Sequence, residues 1–172
     1  ALSSAASDVY KRQVLILGVI IGLMGVVYNT CLSKSQDLYQ KLPGQTMRLL
    51  IPFMLAGVFG FLYPSILGGG HSLVEVLSSG EMVMGSLCLL FVLKFVFSMV
   101  SFGSGAPGGI FLPLLVMGAV IGGIYFNAVG MVSGSLDGLL GNFIILGMAG
   151  YFSAIVRAPI TGIILILSLI HI

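Results

Sequence analysis

The chain has 172 residues, 58% of them hydrophobic and 7% charged, and its seven basic and five acidic side chains leave a net charge of +2. A mean hydropathy of +1.19 excludes a water-soluble domain, because so few charges cannot cover that much apolar surface. The apolar runs are continuous rather than alternating, which argues against a lipid-facing β-barrel, and the small net charge gives no footing for nucleic acid. The expected fold class is all-α: a polytopic membrane protein made of helices.

The two ends of the chain raise a question of origin. Residues 8–13 (DVYKRQ) and 167–172 (LSLIHI) can be encoded by complementary strands of one short DNA. That DNA resembles the mosaic end of a transposon-based sequencing adapter, and SSAAS at 3–7 fits the adapter's upstream part. Residues 1–13 and 167–172 are therefore expected to be adapter translation, leaving Val14–Ile166 as an internal piece of a longer gene. On that expectation Asp8, Lys11, Arg12 and His171 take no part in function.

Val14–Leu32 is apolar and long enough to cross a bilayer core of about 30 Å. Its glycines, Gly18, Gly22 and Gly25, permit close helix packing. The polar stretch SKSQDLYQKLPGQ (33–45) predicts a loop ended by Pro43-Gly44. A second apolar segment runs from Arg48 to Leu67, interrupted by Pro52 and Pro64. LGGGHS (67–72) breaks the chain again, and the short segment LVEVL follows. Glu81–Phe102 is a third long run, with Lys94 deep inside it. A helix is predicted over Phe111–Phe126, and two further apolar pieces, Asn142–Phe152 and Ala158–Ile166, are split by VRAP (156–159). Cys31 and Cys88 have no metal-ligand spacing and read as small buried hydrophobes.

Between the third run and the next helix lies SFGSGAPGGIFLP (101–113), six of whose thirteen residues are glycine or proline. Gly103, Gly105, Gly108 and Gly109 open backbone conformations closed to residues with a β-carbon. Pro113 suits the first turn of a new helix, where a missing N–H removes no hydrogen bond. The stretch predicts a non-helical loop over 103–109 that ends in a helix N-terminus near Gly109 or Ile110. Free N–H groups and the helix dipole make such an end electropositive, able to hold an anion without a fixed positive side chain. Breaks at membrane depth are tolerated where protein or a water-filled cavity surrounds them, and half-helix ends are a device of transporters and channels.

GSGAPGGIFLP closely resembles a motif of the CLC family of chloride channels and chloride/proton antiporters. LGGGHSLV (67–74) looks like that family's glycine-rich turn, and AGYFSAIVRAPITGIIL (149–165) looks like its short helix, Arg-Ala-Pro turn and following helix. The resemblance implies that residues 14–166 are part of the C-terminal half of a CLC-like transmembrane domain, all-α with tilted, broken and re-entrant helices, and incomplete. It further implies chloride as the transported ion, a lipid bilayer as surroundings, a homodimer with one pore per subunit, and a prokaryotic plasma membrane. The amides of Ile110 and Phe111, with Gly109 before them, would contribute to the central anion site. Gly103, Ser104, Gly105, Pro107, Gly108 and Pro113 would shape the loop and helix start. The family's serine-bearing GSGIPE-like segment, its gating-glutamate GREGP-like segment and its late pore tyrosine are not found in these residues. The family's internal proton-pathway glutamate, where present, belongs to the same missing portion, and Glu75 and Glu81 cannot be promoted to that role.

Lys94 could supply positive potential near an anion path, or snorkel, or pair with a carboxylate elsewhere. Arg157 could act electrostatically too, but capping helix carbonyls or meeting headgroups is the plainer job at a helix junction. His71 suits a helix cap or solvent and has no partners for a metal. The ring of Phe111 could line the path. No nucleophile–base pair or spaced carboxylates suggest an enzyme, and no cofactor or metal is implied. The rival reading is a membrane scaffold or accessory subunit whose glycine-proline breaks serve packing only.

Overall fold

The computed structural model describes residues 2–62, 77, 83–106, 108–133 and 138–171. Among them the regular elements are six helices: α1 (Leu2–Gln40), α2 (Gln45–Leu62), α3 (Met84–Gly103), α4 (Phe111–Ser133), α5 (Leu140–Val156) and α6 (Pro159–His171). Four contain stretches long and apolar enough to cross a membrane, namely Tyr10–Gln40, Gln45–Leu62, Met84–Gly103 and Phe111–Met131. The 17 residues of α5 reach only about 25 Å at 1.5 Å per residue, short of a full span. The all-α, polytopic and broken character expected from the sequence is present. The glycine-rich turn at 67–74, with Pro64, His71, Glu75 and Glu81, lies outside the described residues.

The helix α4 forms the centre. Leu114, Leu115, Val116, Met117, Ala119 and Val120 are all 2% exposed or less, so this stretch of the helix is covered on every side. It packs most extensively on α5, and small residues set the distance. A Cβ placed on Gly118 would lie 2.5 Å from the Gly147 carbonyl oxygen. Placed on Gly147 or Gly122, it would run into backbone of Gly118 or Phe143 respectively. Contact this close suits a membrane protein, where dispersion between helices replaces the hydrophobic effect. Of the three glycines in α1, only Gly25 works this way: its Cβ would meet Ala154 at 2.8 Å, whereas Gly18 and Gly22 face open space.

Three boundaries depart from the sequence expectation. The stretch 33–40 continues α1 instead of forming a loop. No breaker precedes Pro43, and Ser35 donates to the Met99 carbonyl at 2.8 Å while Tyr39 is buried. The chain turns only at 41–44, where Gly44 has φ +84°. Arg48 then clamps the turn, donating from Nη2 to the carbonyls of Gln40 (3.0 Å) and Leu42 (3.2 Å). Pro52 sits within α2 without ending it. The helix α4 extends past Phe126 to Ser133, and Asn127 folds its amide back onto the Gly123 carbonyl at 3.1 Å.

Tyr10 and Gln13, in the stretch read as adapter translation, continue α1. The Tyr10 ring meets Phe143 edge-on at 5.9 Å, and Tyr125 Oη donates to the Gln13 carbonyl at 3.0 Å.

Candidate functional site

The helical break falls where glycine and proline concentrate. The helix α3 stops at Gly103, Gly105 N donates to the Phe102 carbonyl at 3.3 Å, and α4 starts at Phe111. Among the described loop glycines only Gly105 uses its conformational freedom, with φ +75°. Gly103 is still helical and serves packing, since a Cβ there would collide with the Ser35 side chain. Gly108 and Gly109 are exposed and have no atom near a built Cβ, so their backbone lies open. Ser104 braces the turn, donating to the Ser101 carbonyl at 2.7 Å and accepting from Ala106 N at 3.3 Å. Pro107 lies outside the described residues.

The helix start has the expected polarity. Leu114 N donates to the Ile110 carbonyl at 3.3 Å, which makes Ile110 the cap residue and Phe111 the first residue of the helix. Pro113 therefore falls in the first turn. The N–H groups of Ile110, Phe111 and Leu112 have no hydrogen-bond partner among the described residues. Ile110 and Phe111 are half-buried, and the Phe111 ring meets Phe152 edge-on at 5.2 Å. That contact ties the helix start to α5.

Beside the break is a cavity of about 220 Å³, with Lys94, Ser98 and Ser101 of α3, Gly108 and Gly109 of the loop, and Pro113 and Met117 of α4 on its walls. Lys94 is 5% exposed and has no hydrogen bond or ion pair among the described residues. A lysine so largely buried is costly without a counter-charge and would be relieved by an anion in the cavity it lines. The structure thus brings Lys94, Gly108, Gly109 and Pro113 to one space, with the open amides of Ile110 and Phe111 following Gly109 in sequence. Arg157 does not line it. That residue is exposed, makes no side-chain hydrogen bond among the described residues, and closes α5 in the left-handed conformation at φ 58°. Its part in the turn belongs to its backbone.

Sequence reading missed Ser98. An isolated serine in an apolar run carries no motif, and only its place one turn beyond Lys94 could have flagged it. On the other side of the turn, Arg48, Gln36, Gln40 and Tyr39 line a separate cavity of about 240 Å³ against Gly103–Gly105.

Comparison with known proteins agrees with the motif. A family model described as voltage gated chloride channel matches residues 12–171. The H(+)/Cl(-) exchange transporter ClcA of Salmonella arizonae is 34% identical over 160 residues, covering 90% of this chain and 34% of the relative. The proteins of the same name from Salmonella typhi and Salmonella typhimurium have the same identity and coverage. The chain spans about a third of the length of these curated relatives.

Proposed function

Because the chain belongs to the voltage gated chloride channel family, we propose that it forms part of a path carrying chloride, or a similar small anion, across a membrane, with the ion held by backbone N–H groups at the start of α4. What supports this reading is the pairing of a helix start at Ile110 and Phe111, uncapped among the described residues, with a buried Lys94 that has no partner among them and lines the adjoining cavity. Partial charges on amides bind an anion without trapping it, which conduction requires. Lys94 raises the local potential while contributing no second fixed ligand shell. Residues 14–166 are one portion of the transporter; the parent, on the family's pattern, is a homodimer in a prokaryotic plasma membrane. The relatives are named as exchangers of H+ and Cl−, which favours coupled exchange in the parent over a passive channel. Transport of this kind needs no cofactor and no covalent chemistry.

Reconstitution of the parent in chloride-loaded liposomes tests the reading. Chloride efflux under a gradient, slowed at least severalfold by Lys94→Met, is the expected outcome. A scaffold whose breaks serve packing alone would give efflux no faster than empty liposomes.

A further inference from the structure

Ser98 follows Lys94 by one helical turn, lines the same cavity and is 3% exposed. Its Oγ lies 2.7 Å from the hydroxyl of Tyr28 on α1, a side chain with no exposed surface. The Tyr28 ring is fixed edge-on against Phe95 and Tyr151, with centroids 5.8 and 6.0 Å away. Among the described residues Tyr28 Oη has no partner besides Ser98. Either hydroxyl can donate in this pair, and with Tyr28 as the donor the Ser98 proton is available to a second acceptor. A helical serine or threonine commonly turns that proton back to the carbonyl four residues earlier, as Thr30 does to Val26 at 2.8 Å. Ser98 makes no such bond among the described residues. The cavity that Ser98 lines together with Lys94 offers that proton an acceptor site.

We propose that Ser98 is a direct hydroxyl ligand of the permeating anion and that Tyr28 is the positioning residue that aims it. The inference rests on the reading of this cavity as part of an anion path. It adds a ligand from α3 to the amides of α4, and it names the ligand class: a small anion with concentrated charge that accepts a strong hydrogen bond. The chain from Tyr28 to Ser98 to anion is cooperative, since each donor polarises the next. A diffuse anion such as thiocyanate gains little from it.

The test uses the full-length parent carrying Ser98→Ala, Ser98→Thr or Tyr28→Phe, each checked for folding and titrated calorimetrically with sodium chloride and with sodium thiocyanate. Loss of a hydrogen bond to a charged group predicts chloride affinity roughly tenfold or more weaker in Ser98→Ala. Thiocyanate affinity changes far less. Ser98→Thr, which keeps the hydroxyl, retains most of the chloride affinity. Tyr28→Phe falls between, and combining it with Ser98→Ala adds no further loss, because Tyr28 acts only through Ser98. If Ser98→Ala does not fold, Ser98→Cys keeps the volume with a weak donor and is expected to show the same chloride-specific loss. Equal losses for both anions would make Ser98 a packing residue and overturn the proposal. So would unchanged chloride affinity in a folded Ser98→Ala or Ser98→Cys. Should Phe111→Pro in the same series lose chloride while Ser98→Ala keeps it, only the Ser98 ligand falls; if neither changes affinity, the helix-start reading falls as well.

Discussion

Replacing Gly118 with alanine adds one methyl group where α4 and α5 touch. Its Cβ would sit 2.5 Å from the Gly147 carbonyl oxygen and 2.8 Å from Met148 Cα, whereas real Cβ contacts essentially never fall under 3.0 Å. All these neighbours are backbone, so no rotamer change relieves the clash and the two helices must separate by about 0.5 Å or more. A gap of about 0.5–1 Å forfeits a quarter to a half of each dispersion contact along the seam. Overpacking of this kind costs about 1–3 kcal/mol, and apolar solvation by lipid returns little of it. The upper half of that range fits here, because the residues beside Gly118 are fully buried. Gly123→Ala on the same helix is the internal control: its Cβ would meet only Leu77 and Leu87 side chains, at 3.7 and 3.9 Å. Helix propensity then favours the alanine by about 0.8–1 kcal/mol. Unfolding free energies of the parent variants, from SDS titration in mixed micelles, should differ in sign. Equal stability for the two variants would refute the close α4–α5 seam.

Tyr151 Oη is buried without a hydrogen-bond partner among the described residues, so Tyr151→Phe is expected to be neutral or to stabilise by about 1 kcal/mol; a clear loss in the same titration would reveal a partner for that hydroxyl. Arg157 holds φ 58° with a side chain, a conformation that costs non-glycine residues about 1 kcal/mol. Arg157→Gly should therefore raise the parent's melting temperature, and a fall would mean that the guanidinium holds something. Gln13 Oε1 is likewise buried without a partner among the described residues, an environment that suits an apolar residue better. The genomic reading frame of the parent, sequenced independently, should depart from DVYKRQ at 8–13 and from LSLIHI at 167–172; finding either intact there would end the adapter reading.

Legibility in the sequence followed the range of the interaction concerned. The break before Phe111 was plain because glycine and proline act on their own backbone, and Pro113 marked the helix start from within. Polar residues 33–40 misled, since SKSQDLYQ has loop composition but no breaker; its helix is held by Ser35 on Met99 and by Tyr39 beneath Gly103. Those contacts span more than sixty residues of chain. The same distance hid the Tyr28–Ser98 hydrogen bond, and with it the polar face that Ser98 shares with Lys94. Gly103 was legible as a special position but for another reason: it makes room for α1 instead of bending the loop. Lys94 stood out because an ionisable group within an apolar run is expensive, and its place on the cavity gives that cost an object.

Chloride titration of Phe111→Pro in the full-length parent tests the central claim most directly. Phe111 is the first residue of α4, a position where proline is favoured stereochemically, so the variant removes one N–H while keeping the helix start. Phe111→Ala controls for the lost ring contact with Phe152, and Ile110→Val for a side-chain change that leaves the amide in place. An N–H donated to a charged ligand is worth about 1.5–3 kcal/mol, and about 1.4 kcal/mol corresponds to tenfold. Isothermal titration should therefore show Phe111→Pro binding chloride about tenfold or more weakly than Phe111→Ala, with Ile110→Val close to the parent. Equal chloride affinity in folded Phe111→Pro and Phe111→Ala would contradict the account, because the amide at the helix start would then not be holding the ion.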